Sequence, residues 1–259
     1  MKIAVSGKGG VGKTTLSAMF AAALSLKGRS VMALDADPDA NLPAALGVPP
    51  DAQPTPLSEM RDLIAERTGA TDNYGGYFKL NPKVDDIPEQ YATRIGNIRL
   101  LVLGGVKKGG AGCICPASAL VKALLTHLVI GRDDAVIMDM EAGIEHLGRA
   151  TAQSTDALVL VVDASPWSVQ TALRIRALAA DLGMNRLLAV ANRVRESTDV
   201  DRIRRELNGI ALVGQIPYDE RFEAGVARLT EQGELAPAPA LREHLQVVEA
   251  VLSEVQDTL

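Results

Sequence analysis

Only two of the 259 residues are cysteine, Cys113 and Cys115, so no disulfide scaffold is available and a reducing cytoplasm is the expected setting. Aromatic side chains are scarce too: one Trp, four Tyr and three Phe are too few for the stacking platforms that hold unpaired bases. Positive charge is not in excess. With 27 Lys and Arg against 32 Asp and Glu the net charge is −5, which argues against a role in coating nucleic acid or an anionic membrane. No apolar run approaches the roughly 20 residues that cross a bilayer. The chain opens directly on a strand pattern, Met1-Lys2-Ile3-Ala4-Val5, so no leader peptide is expected. The remainder, 47% hydrophobic and 23% charged, suits an ordinary globular protein with a large core.

Seven short β-branched runs are predicted as strands: Lys2–Ser6, Ser30–Asp35, Ile98–Leu103, Ala135–Asp139, Ala157–Asp163, Leu187–Asn192 and Ala211–Ile216. Helical patterns at Thr14–Lys27, Ala117–Val129, Pro166–Leu182 and Val200–Leu207 alternate with them. Several strand runs are apolar on both faces, as in Ala157-Leu158-Val159-Leu160-Val161-Val162, which a parallel strand covered on both sides requires. The expected fold is a doubly wound, mostly parallel α/β sheet of seven or eight strands with helices on both faces, one domain over 1–259. Two places break the rhythm. From about Val48 to Asn97 the chain is rich in Pro, Gly and polar residues, and reads as an irregular insertion with a helix near Leu57–Thr68. Near the end, Ala236-Pro237-Ala238-Pro239 reads as a stiff hinge before a last helix, 241–259. Its stripe of Leu241, Leu245, Val248, Leu252, Val255 and Leu259 is expected to pack on its own domain rather than on a partner. The polar face carries Glu243, Glu249, Glu254 and Asp257, so membrane attachment is not expected.

The first strand runs into Gly7-Lys8-Gly9-Gly10-Val11-Gly12-Lys13-Thr14-Thr15 and then a helix. Gly7-x-Gly9-x-x-Gly12 alone would suit a dinucleotide site, with Asp35 on the ribose. Lys13 and Thr14 decide for a P-loop, because only a triphosphate site needs them. Glycines let backbone N–H groups converge on phosphate oxygens, Lys13 neutralises the β- and γ-phosphates, and the Thr14 hydroxyl ligates Mg²⁺. Asp139 ends a later strand where a Walker B carboxylate belongs, and Glu141 and Gly143 follow in a loop able to sense the γ-phosphate. The acidic loop Asp35-Ala36-Asp37-Pro38-Asp39 faces the same pocket; Asp37 is the candidate to hold the metal shell and the attacking water. Asp35 and Asp39 are equally suited as turn formers and caps. Lys8 adds little beside Lys13 within one chain, but gains a use if it reaches a neighbour's nucleotide across a dimer, as an arginine finger does.

These motifs resemble the MinD/ParA/nitrogenase iron protein superfamily, whose deviant Walker A motif carries lysine at both of the positions held here by Lys8 and Lys13. The resemblance implies a homodimer sandwiching two ATP molecules with Lys8 acting in trans. Asp35-x-Asp37-Pro38-x-x-Asn41 and Asp139-Met140-Glu141-Ala142-Gly143-Ile144-Glu145 are similar to its two switches. Asn192-Arg193 and Pro217-Tyr218-Asp219 are similar to its adenine-contacting positions, beside Gly9, Gly10, Val11, Gly12, Lys13, Thr14 and Thr15 at the phosphates. Within the superfamily, Gly112-Cys113-Ile114-Cys115, the run from Asp139 to Arg149 and Gly75-Gly76-Tyr77-Phe78-Lys79-Leu80-Asn81-Pro82 resemble the CooC-type ATPases that mature nickel enzymes. That implies carbon monoxide dehydrogenase or acetyl-CoA synthase as client.

The cysteine pair fits this on chemical grounds. A disulfide between residues two apart is strained. One chain supplies two thiolates where a closed tetrahedral site wants four, and two chains about a two-fold axis supply all four. A helix starting near Pro116, with Lys107 and Lys108 nearby, would stabilise thiolate charge. Four thiolates suit Zn²⁺, an iron–sulfur cluster or square-planar Ni²⁺; the resemblance favours nickel, with zinc a ready substitute. His146 is read chiefly as a helix-start residue, and His127 and His244 carry no site argument. Two other classes share the nucleotide motifs: a ParA/MinD-like partitioning or positioning ATPase, and an iron–sulfur ATPase resembling the nitrogenase iron protein. The acidic balance and the single close cysteine pair count against them.

Overall fold

All seven runs predicted as strands are strands in the computed structural model, which describes residues 1–70, 77–104, 115–130, 135–144, 147–230 and 232–257. The strands are β1 (Lys2–Gly7), β2 (Val31–Ala36), β3 (Thr93–Ile95), β4 (Ile98–Val102), β5 (Ala135–Met140), β6 (Ala157–Val162), β7 (Leu187–Val194), β8 (Ala211–Pro217), β9 (Ala227–Leu229) and β10 (Leu235–Pro237). The helices are α1 (Lys13–Leu26), α2 (Leu42–Ala45), α3 (Arg61–Thr68), α4 (Ile87–Tyr91), α5 (Pro116–Ile130), α6 (Arg149–Gln153), α7 (Pro166–Asp181), α8 (Ser197–Glu206) and α9 (Pro239–Gln256). Among the described residues no helix is long and apolar enough to cross a membrane.

Among the described residues eight strands form one sheet in the order β3-β4-β2-β5-β1-β6-β7-β8, and of these only β3 runs antiparallel. Parallel neighbours need right-handed crossovers, and these dictate where the helices go. From β1 the chain moves one way to β2 through α1; from β4 to β5 and from β6 to β8 it moves the other way through α5, α7 and α8. Opposite directions with one handedness put α1 on one face and the other three on the other. The two cores confirm this: Leu16, Met19 and Phe20 of α1 pack with Ile3, Val5, Val159 and Val161, whereas Leu120, Leu124, Ile175 and Ile203 pack with Met32, Val136, Leu158 and Leu160. Alternate residues of each strand thus serve opposite cores, which is why the runs are apolar throughout.

Three expectations needed correction. The segment read as irregular up to Asn97 contains β3, which closes the sheet edge through a Gly96-Asn97 turn in which Gly96 has φ +56°; three residues are too few to show a period. The predicted helix over Leu57–Thr68 divides into a 3-10 turn, Leu57–Glu59, and α3, with Met60 between them. The stretch Ala236-Pro237-Ala238-Pro239 is not a free hinge. Leu235–Pro237 pairs with β9 in a two-stranded ribbon, and the Ala238 N–H donates to the Val226 carbonyl at 2.9 Å. Proline is tolerated because that strand has an open edge. The last helix packs against α1 and β8, burying Leu241, Val248, Leu252 and Val255; Leu259 lies outside the described residues.

Candidate functional site

Parallel strands deliver their carboxyl ends to one edge, and every predicted nucleotide residue follows one of those ends. β1 turns at Gly7 into an exposed Gly9-Gly10 loop and reenters the core at Val11. No side chain caps α1, whose N-cap is Gly12, so its first N–H groups are left to an anionic ligand. Gly12 has φ +95°, and a Cβ there would lie 2.2 Å from Asn192 Nδ2. Asn192 comes close because its amide donates to the Val11 carbonyl at 2.7 Å. A register irregularity at the end of β7 and a left-handed Arg193, φ +57°, turn the chain there. Lys13 is buried to 7% exposure, and Lys8 is half-buried.

Below the loop sit two carboxylates. Asp35 and Asp139 occupy matching register positions on β2 and β5, both fully buried and on the α1 side of the sheet. The Ser17 hydroxyl donates to Asp139 Oδ1 at 3.0 Å. Burial pushes the Asp139 carboxyl up to about 6 against the lowering influence of the Thr14 and Ser17 hydroxyls and the Lys13 charge. Its other oxygen, Oδ2, is buried with no hydrogen-bond partner among the described residues. Asp35 is pushed further, to about 7, by burial and then by the charge of Asp139. It also accepts from the Asp37 N–H at 3.1 Å and the Leu42 N–H at 2.9 Å, so it closes the acidic loop onto α2. Asp37, half-buried, accepts from the Asp39 N–H, while Asp39 itself is exposed. The hydroxyl and carboxylate oxygens of Thr14, Asp37 and Asp139, with one buried acceptor unpaired, are a donor set that suits Mg²⁺.

The loop after β5 is tied to β1. Ser6 Oγ donates to the Gly143 carbonyl at 2.9 Å and the Glu141 carbonyl at 3.2 Å. The Gly143 N–H, expected to face a γ-phosphate, here donates to the Glu141 carbonyl at 2.6 Å. Glu145 and His146 lie outside the described residues.

Thr15, Asn192, Arg193, Pro217, Tyr218 and Asp219 line a cavity of 110 Å³ beside the phosphate loop, with Phe222 and Glu223 completing the wall. Arg195 stacks over the Tyr218 ring at 3.9 Å. The Asp219 carboxylate is already engaged: it accepts from the Arg221 backbone at 3.0 Å and from its guanidinium at 2.6–3.1 Å, with His244 Nε2 at 3.5 Å. These partners hold it down at about 2, the Arg221 side chain first. Arg221 also grips Glu243 of α9 at 2.5 and 3.0 Å.

Cys115 lies half-buried just before α5, and its Sγ accepts from the Ser118 N–H at 3.4 Å, the position of a helix cap. Cys113, Lys107 and Lys108 lie outside the described residues.

The sequence pattern that defines the CobQ/CobB/MinD/ParA nucleotide binding domain matches residues 2–230. The chain belongs to that family. It is 45% identical over its whole length, and over 98% of the relative's, to the carbon monoxide dehydrogenase accessory protein CooC of Rhodospirillum rubrum. An uncharacterized ATP-binding protein of Methanocaldococcus jannaschii is 46% identical over 85% of this chain and 86% of its own. Among solved structures, the septum site-determining protein MinD of Pyrococcus horikoshii, complexed with Mg-ADP, superposes with a TM-score of 0.64. It covers 98% of this chain and 94% of that one at 23% identity, which speaks for the fold.

Within this nucleotide-binding family frame, motif reading missed Ser6, Ser17, Phe222 and Glu223. Ser17 had a signal: it lies three residues after Thr14 and so shares its helix face. Ser6 had a weaker one, a hydroxyl at the last apolar strand position before the loop. Phe222 and Glu223 had none, because a 3-10 turn brings them to the cavity.

Proposed function

We propose that the chain is a magnesium-dependent ATPase that works as a cytoplasmic homodimer and carries nickel, or zinc in its place, to an apo-enzyme of the carbon monoxide dehydrogenase or acetyl-CoA synthase kind. One observation carries the reading: β4, the last strand before Cys115, ends at the same carboxyl edge of the sheet as β1, which precedes the phosphate loop. The full-length similarity to CooC supports the client class.

In this reading the backbone N–H groups from Gly9 to Thr15 and the Lys13 ammonium hold the phosphates of ATP, and Asn192, Arg193, Pro217, Tyr218 and Asp219 form the base site. Thr14, Asp37 and Asp139 are the residues to hold magnesium, which supplies charge neutralisation on the phosphate oxygens. Asp37 orients the water that displaces ADP from the γ-phosphoryl group, and Lys8 of each chain reaches the other chain's phosphates. Loss of that group frees the Glu141–Gly143 loop to change its hold on Ser6, and the dimer face with it. Cys113 and Cys115 from both chains hold the ion as cargo, which leaves when that face changes.

Titration with Ni²⁺, with and without ATP, should give one ion per dimer. A Cys113→Ser/Cys115→Ser protein that still binds one ion per dimer refutes the cargo site. Lys13→Ala should abolish hydrolysis; full ATPase activity in that variant refutes the nucleotide assignment.

A further inference from the structure

On the sheet face opposite α1, a groove of 480 Å³ runs between α5 and the 80–84 segment. That lies within the roughly 300–1,000 Å³ of pockets that hold ligands or a few side chains. Leu80, Val84, Ala119 and Ala123 make its wall apolar, and Lys122 and His127 add polar tips. Leu80 is 57% exposed, a large apolar side chain left uncovered in the groove wall. Lysines 79, 83 and 122 are all exposed around it in a chain of net charge −5. Lys83 pairs with Asp85 at 3.7 Å and Arg67 with Asp86 at 2.7 Å, which leaves Lys79 and Lys122 to set the sign of the rim. The rim is therefore basic where the protein as a whole is acidic.

Position gives the groove a direction. Ala119, Lys122, Ala123 and Thr126 are linked by spacings of three and four and so share one face of α5, and Cys115 sits at the end where that helix begins. At 1.5 Å per residue, the groove begins roughly 6 Å along the helix from Cys115 and extends to roughly 18 Å. An apolar helix face read at such spacings is a common seat for a peptide segment.

We infer that this groove is the docking site for a segment of the apo-enzyme that receives the ion, an acidic stretch carrying a bulky apolar side chain and lying along α5 toward Cys115. The inference rests on the metal-delivery reading above and names the surface that serves it. Apolar burial against Leu80 and Ala123 anchors the segment, and the lysines select its charge and speed its approach.

The test uses full-length protein and immobilised apo carbon monoxide dehydrogenase. Leu80→Glu and Lys122→Glu should each weaken binding at least tenfold, with Lys122→Gln losing less than Lys122→Glu, and wild-type binding should weaken as salt rises. ATPase rate, ions per dimer and melting temperature should stay at wild-type values, since both residues are exposed and outside the nucleotide site. If wild type activates the apo-enzyme and the groove variants bind it equally well, the groove assignment fails and the delivery reading stands. If wild type neither binds nor activates it, both fail. Should the variants change the monomer–dimer equilibrium instead, the groove is a face between copies and the inference is overturned.

Discussion

Gly12 is where the phosphate loop meets Asn192 of the neighbouring cavity wall, and its replacement by alanine tests how they are joined. Two penalties combine. An L-residue held at φ +95° is strained by about 1–2 kcal/mol. The new Cβ, 2.2 Å from Asn192 Nδ2, also forces that amide off the Val11 carbonyl. Leaving a buried acceptor unpaired costs about 1–3 kcal/mol, so Gly12→Ala should lose about 2–5 kcal/mol. Asn192→Ala breaks the same hydrogen bond and should lose about 1–3 kcal/mol. In the double variant the amide is already gone and only the backbone strain is added. A urea-denaturation cycle of the four proteins should therefore show a coupling of about 1–3 kcal/mol, with the double variant more stable than additivity predicts. Binding of a fluorescent ATP analogue should fall in Gly12→Ala. Coupling below about 0.5 kcal/mol would refute the claim that Gly12 is required because Asn192 occupies the space a side chain would fill.

Two further outcomes follow from burial. Asp35 and Asp139 bind their protons more tightly when folded, at about 7 and about 6 against an ordinary 3.8. Their contribution to stability is therefore fullest below about pH 4 and is lost as pH rises through 6 and 7; in EDTA and without nucleotide, melting temperature should fall across that window. Asp35→Asn should flatten the fall, and an unchanged slope would show that other groups cause it. Leu241, which α9 buries fully against the core on the α1 side, should cost about 2–5 kcal/mol when cut to alanine, read by the same denaturation assay. A loss under about 1 kcal/mol would mean that α9 is not anchored as described.

Local chemistry in the sequence determined much of this protein. A glycine-rich loop ending in Lys13-Thr14 between a strand and a helix has one economical use, and strands apolar on both faces require helices on both sides, so the nucleotide loop and the parallel sheet are both legible without coordinates. Only the tertiary structure decided what long-range register controls. Asp35 and Asp139, 104 residues apart in the chain, become neighbours because β2 and β5 pair in that register, and their raised proton affinities follow from that burial. The Asn192 amide reaches the phosphate loop only because β7 ends in an irregular turn, and the Arg221 bridge to Glu243 exists only because α9 folds back toward the turn that carries Arg221. Motifs report what a few adjacent residues can do, whereas burial and pairing depend on which distant segments the sheet brings side by side.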